Sequence, residues 1–177
     1  MRSDCAARPS PTAAAARSVQ GVITLVQRVA AARVVVDGET VGAIERGLLL
    51  FVGVEQGDSE ADADLTARKI AGLRVFPGRT PTDLAVGDAG GGCLVVSQFT
   101  LAAELRHGNR PDFTAAAPPA LADALYRRVA DQLAATGLSV ATGRFAASMR
   151  VEASNDGPMS LVLTVRGGKV APRPEPI

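Results

Sequence analysis

The sequence predicts an α/β fold: one domain, with a mainly antiparallel sheet carrying two packed helices. Three observations lead there. A chain of 177 residues suits one domain with a real core. Runs rich in Val, Ile and Leu recur along it, several separated only by turn formers. Two segments show helical spacing with recognisable ends.

The first strands are read at Val22–Val29 and Ala32–Gly38, where β-branched residues dominate. Asp37-Gly38 is a hairpin signal, and "ETVGAI" returns the chain. Gly47–Val54, "GLLLFVGV", is a continuous apolar run of the kind buried on both faces. Ser59 and Asp62 form an Asp version of the capping box, opening a helix through about Leu73 with Leu65, Ile70 and Leu73 inward. A flexible loop follows from Pro77 to Gly92; its glycines match neither phosphate-binding pattern, GxxxxGK[ST] or GxGxxG. "CLVVSQFTL", Cys93–Leu101, is the next strand, and "HGNRPDF" the polar loop after it. Pro118 and Pro119 open a second helix with Leu121, Leu125, Val129 and Leu133 on one face, ended by Gly137. "LSVATGRF", "SMRVEAS" and "MSLVLTV" close the sheet.

"SNDGPMS", Ser154–Ser160, joins the last two of these runs. Asn-Asp-Gly already suffices for a hairpin, so the added proline is unexplained by turn chemistry, although a stiff turn is the plain reading.

Residues 1–20, rich in Ala, Ser, Pro and Arg, read as a disordered N-terminal extension; they lack the apolar segment of a secretory signal, and organellar targeting is the other reading. The domain spans residues 21–165, and residues 166–177 read as a loose tail. A formal charge of +1 argues against a broad electrostatic nucleic-acid binder, while leaving room for gripping one RNA end through a few contacts. No apolar run is long enough for a membrane span. Two cysteines, Cys5 and Cys93, make no disulfide framework, so a reducing cytoplasm is the expected location.

One histidine, His107, with no GxSxG elbow gives no serine-hydrolase signature. With only scattered carboxylates beside it, no metal site and no cofactor are expected. Cys93 opens an apolar strand and reads as a buried, inert thiol. Ser97, Gln98, Phe99 and Thr100, at a strand end, offer hydroxyls, an amide and a stacking face. They suit a polar pocket, and equally a strand running out into polar residues.

"VSQFTL", "GNRPDF", "AAPP", "TGRF" and "NDGPMS", in this order and spacing, resemble the D-aminoacyl-tRNA deacylases, as do "LVQRV" and "GLLLFVGV". The resemblance covers Val22–Val165. It implies a homodimer that hydrolyses the ester between a D-amino acid and the tRNA 3′ end, without cofactor or metal, and refuses L-aminoacyl-tRNA. It implies that Ser97, Gln98, Phe99 and Thr100 line the catalytic pocket beside the terminal adenosine. Gly157 and Pro158 match a cis peptide inserted into the partner's pocket, flanked by Asn155, Met159 and Ser160, and Arg28 matches an arginine supporting that loop. The family's chemistry rests on backbone groups and the tRNA 2′-hydroxyl; an alternative makes Thr100 the nucleophile, with no base in view.

The chain departs from the family's usual "NDGPVT" at Met159 and Ser160, and from "GRFGAD" at Ala146 and Ser148. These changes put chiral stringency in question, and two other functions stay open beside the deacylase. One is a dimeric RNA-end or nucleotide-binding module without turnover. The other is a relaxed deacylase acting on glycyl- or L-alanyl-tRNA.

Overall fold

The computed structural model describes residues 21–106 and 108–172; the expected extension over residues 1–20, His107 and residues 173–177 lie outside them. One seven-stranded sheet forms, in the order β5-β4-β3-β1-β6-β7, with β2 paired to β1. The axis of the sheet is β1, Val22–Val36, a single strand where two were expected. Its middle, "VAAARV", contains no glycine or proline to break it.

Along one side β1 pairs antiparallel first with β3 (Gly47–Gly53) and then with β2 (Glu39–Ile44). The β1–β2 hairpin closes on Asp37 and Gly38 at φ 51° and 85°, the left-handed pair that a two-residue hairpin needs. Along its other side runs β6, Arg150–Arg166. β4 (Gly92–Ser97) lies parallel to β3, and β5 (Val140–Thr142) parallel to β4. Parallel neighbours need crossovers, supplied by helices α1 (Glu60–Ala71) and α2 (Pro119–Ala135).

The helices cover one face of the sheet. Their core joins Val26, Leu48, Leu50 and Val95 to Ile70, Tyr126, Val129 and Leu133. On the opposite face the sheet curls so that Val34, Val36, Leu94 and Val96 form a second core with Met149 and Val151 packed against it. Gly42 permits the curl: a Cβ there would lie 2.3 Å from the Thr142 carbonyl oxygen.

Asp62 caps α1, accepting from the Ser59 backbone N–H at 2.9 Å and the Ser59 hydroxyl at 2.6 Å. The buried face of α1 is Ala63, Thr66, Ala67 and Ile70; Leu65 and Leu73 are only half-buried. Small residues let this helix lie close, so bulk is needed at Ile70 and not at the two leucines. In α2, Leu125, Val129 and Leu133 are buried as the spacing predicts, and Leu121 is half-buried. Arg128 of α2 binds Asp64 of α1 through two hydrogen bonds, at 2.6 and 2.9 Å.

Three further expectations change. β4 stops at Ser97, and Phe99–Ala102 form a 3-10 turn instead of continuing the strand. "SNDGPMS" is no reversal, because β6 continues through it in the same direction, with only a local bow. The sheet also extends past residue 165: Gly167 and Gly168, at φ 53° and 70°, turn the chain into β7, Lys169–Val170. The Gly168 N–H then donates to Asp62 at 2.7 Å, fastening this hairpin to the helix cap.

Candidate active site

The end of β4 is held in place by its neighbours. Ser97 pairs with Val52, and the next residue, Gln98, donates its backbone N–H to the Val52 carbonyl at 2.8 Å. The chain then tightens into the 3-10 turn, with Leu101 N–H donating to Gln98 O at 3.2 Å. The opening amides of such a turn, those of Phe99 and Thr100, have no partner within it. A rigid strand thus delivers a hydroxyl, a side-chain amide and the backbone N–H groups of the turn's opening at a fixed point.

That point borders a cleft of about 580 Å³. Ser97, Gln98 and Phe99 form one wall, Ala116, Ala117 and Pro119 at the entry to α2 another, and Phe145, Ala146 and Met149 a third. Thr100 is not among the lining residues; its hydroxyl accepts a hydrogen bond from the Gln98 side-chain amide at 2.5 Å. Thr100 therefore orients Gln98. Ala146 adopts φ 58°, an unusual conformation for a residue with a Cβ, and turns the chain along the cleft wall.

Among the described residues, none that lines the cleft is ionisable. Cys93 is fully buried one strand-length back, and burial pushes its thiol up to about 12. Among the described residues no three His, Cys, Asp or Glu side chains stand together as metal ligands. What the cleft offers a reacting group is hydrogen-bonding dipoles in an apolar surround.

The "NDGPMS" segment lies elsewhere on the chain. β6 pairs Ser160 with Gln27 and Asn155 with Val29, so residues 156–159 bow out of the sheet opposite Arg28 alone. The Gly157–Pro158 peptide in this bow is cis. Arg28 donates from Nε to the Asp156 carbonyl at 2.8 Å and from a terminal nitrogen to the Val75 carbonyl at 2.5 Å. Asn155 Oδ1 accepts from the Met159 N–H at 3.4 Å, and Gln27 Nε2 donates to Ser160 Oγ at 3.1 Å. Met159 packs on the helix-side core. So Arg28, Asn155, Met159 and Ser160 shape the loop, while Gly157 and Pro158 are exposed at its crest. Neither lines the cleft of its own chain.

Residues 25–164 match the family described as D-Tyr-tRNA(Tyr) deacylase. The chain belongs to that family. A D-aminoacyl-tRNA deacylase of Geobacter metallireducens is 51% identical over 140 residues, covering 78% of this chain and 93% of the relative. One from Aeromonas hydrophila is 51% identical over 145 residues, covering 81% of this chain and 100% of the relative. Among solved structures, a c-Myc DNA unwinding element binding protein superposes with a TM-score of 0.77 at 36% identity, covering 82% of this chain and 99% of that one.

Two features of this family member were not singled out from the sequence. Met149 and Ala146 wall the cleft, although Ala146 was noted only as a departure from the family's pattern. Tyr126, buried on α2, donates from its hydroxyl to the Val95 carbonyl at 3.3 Å, bracing β4 behind the site. Its place on the buried stripe of α2, between Ala122 and Val129, was the available signal.

Proposed function

We propose that this protein hydrolyses the ester joining a D-amino acid to the 3′-terminal adenosine of tRNA and refuses the L-enantiomer. The observation that carries the reading is a cleft at the "SQF" strand end without an ionisable wall, in a chain of the deacylase family. An ester needs no acid to make its leaving group viable, so placed dipoles can suffice. The backbone N–H of Phe99, at the opening of the 3-10 turn on the cleft wall, suits the negative charge that grows on the carbonyl oxygen. Water adds to the carbonyl carbon, the bond to the ribose oxygen breaks, and that oxygen takes a proton. The free carboxylate and tRNA leave. The neighbouring ribose 2′-hydroxyl positions the water, which is orientation rather than side-chain base catalysis.

The working unit on this reading is a homodimer in the cytoplasm, and the loop at Gly157–Pro158 enters the partner's cleft. Its separation from the cleft of its own chain supports this, as do the exposed Leu161 and Val162 on the adjoining strand. A two-fold axis lets each loop complete the other site. Backbone carbonyls of the loop then hold the substrate's ammonium group, and an L side chain collides with the loop whatever its chemistry. Binding without turnover is the second reading, favoured by the likeness to a DNA unwinding element binding protein. Incubation with D-Tyr-tRNA and L-Tyr-tRNA separates them: the deacylase releases D-tyrosine only, and a binder releases neither. Release from glycyl- or L-alanyl-tRNA instead marks a relaxed filter.

A further inference from the structure

Phe99 has two sides, and the cleft uses one. Its ring lines the cleft, yet it is 55% exposed. It meets Phe113 in an edge-to-face contact, with centroids 5.2 Å apart and planes at 66°. Phe113 is itself 38% exposed and is not a lining residue. A second aromatic surface therefore continues from the cleft mouth outward.

Exposed aromatic rings on a floppy loop mean little, but this loop is fastened at several points. Glu104 and Asp112 exchange backbone hydrogen bonds at 2.8 and 3.1 Å across its base. Asp112 Oδ1 accepts from the Thr114 N–H at 2.9 Å, and the Ala116 N–H donates to the Phe113 carbonyl at 3.0 Å. Beyond Phe113, Gln56 N–H reaches Ala115 O at 2.9 Å, and Ala117 N–H reaches Val54 O at 3.0 Å, tying the loop to the end of β3. Phe113 is thus presented with little ordering left to do on binding. Arg110, three residues earlier, is exposed on the same loop and supplies a positive charge.

We propose that Phe113 is a stacking platform for the unpaired cytidine that precedes the terminal adenosine of tRNA, with Arg110 facing the linking phosphate. This rests on the deacylase reading of the cleft and extends it by one nucleotide. With the ester and terminal adenosine in the cleft, the chain leaves past Phe99, and Phe113 is the ring it meets. Single-stranded bases are held this way because any base offers a π face, and a nearby arginine answers the backbone charge. The chain's net charge of +1 fits a grip on one strand end and no wider electrostatic surface.

The test compares two substrates on one enzyme preparation, so that any unfolded fraction cancels. One is D-Tyr-tRNA, and the other is D-tyrosine esterified to adenosine alone. For Phe113→Ala, kcat/KM should fall about tenfold further on the tRNA than on the adenosine ester, chiefly through KM. Phe113→Tyr keeps the ring and should restore the ratio. Equal losses on the two substrates would overturn the proposal, because Phe113 would then merely support Phe99. If the wild-type protein hydrolyses neither ester, the deacylase reading fails by itself. The platform is then read by binding of a short RNA ending in CCA against adenosine monophosphate. Phe113→Ala must weaken the RNA selectively, and an unchanged ratio would again overturn it.

Discussion

Arg28 and Asp156 are joined twice: Nε of the arginine donates to the Asp156 carbonyl at 2.8 Å and lies 3.3 Å from its carboxylate. The same guanidinium reaches the Val75 carbonyl, so it ties the bowed loop of β6 to both β1 and the segment after α1. Its side chain is only 12% exposed, which shields these bonds from water. Arg28→Ala should lower D-Tyr-tRNA turnover about tenfold or more and cost about 1.5–3 kcal/mol of stability, since bonds to a charged group are lost. Arg28→Lys keeps the charge without the planar fork and should recover only part of the activity. Turnover and urea denaturation check the two effects separately.

Gly157 has no room for a side chain. A Cβ there would sit 2.2 Å from the Met159 backbone nitrogen, which cannot yield as a flexible tip can. Gly157→Ala must shift the loop, and D-Tyr-tRNA hydrolysis should fall by about tenfold or more as orientation at the ester is lost. Single-turnover kinetics at saturating enzyme would read the chemical step directly. Wild-type rates for this variant would remove the loop from the site.

Thr100 should not carry the acyl group. Its hydroxyl accepts from Gln98, and among the described residues no ionisable side chain lines the cleft to activate it. Thr100→Ala should keep measurable turnover, with a loss of about tenfold from the freed Gln98. Rapid quench and mass spectrometry should find no acyl-enzyme. An adduct at Thr100 would establish covalent catalysis instead.

The contribution of Asp58 to stability should fall as pH rises from about 4 to about 7. Burial pushes the Asp58 carboxyl up to about 7, against the Glu55 N–H that donates to it, and Glu55 is raised for the same first reason. Asp62 and Glu55 add repulsion at Asp58, and Arg166 opposes it. A carboxyl with a raised folded value holds its proton better when folded, so the stabilisation is complete below the unfolded value near 3.9 and is lost as pH climbs to about 7. The slope from one such group is at most ~1.4 kcal/mol per pH unit. Asp58→Asn keeps an acceptor for the Glu55 N–H, so the difference between wild-type and variant denaturation curves should show this window and vanish near pH 4. A difference independent of pH would refute the assignment.

The sheet was legible where local chemistry and tertiary context agree. Asp37-Gly38, Ser59 with Asp62, and Pro119 with Gly137 each mark an element end by a mechanism within a few residues. The misreadings share a cause. "SNDGPMS" has every local mark of a turn, yet pairing of β1 on both sides of it, through Gln27 and Val29, holds β6 in line. Likewise Gly167-Gly168 looked like the start of a loose tail, and its hairpin depends on Asp62, which lies 106 residues away in the chain. At the site, the side chains of "SQFT" could be named from the sequence. Their division of labour could not, because it depends on where β4 stops: Ser97, Gln98 and Phe99 face the cleft, and Thr100 stands behind Gln98.

A cleft walled, among the described residues, only by Ser, Gln, Phe, Ala, Pro, Met and Val has a pharmacological consequence. Warheads that capture thiolates or imidazole-activated serines find nothing there to react with, and Cys93 is sealed in the core with its proton firmly held. On the proposed deacylase reading, an inhibitor competes by shape, filling the cleft and offering an oxygen to backbone amides. Resistance by mutation is then narrowly constrained, because a substitution replaces a side chain and leaves the amide in place. Escape would have to bend the backbone at the end of β4, where Val52, Gln98 and Leu101 are bonded together.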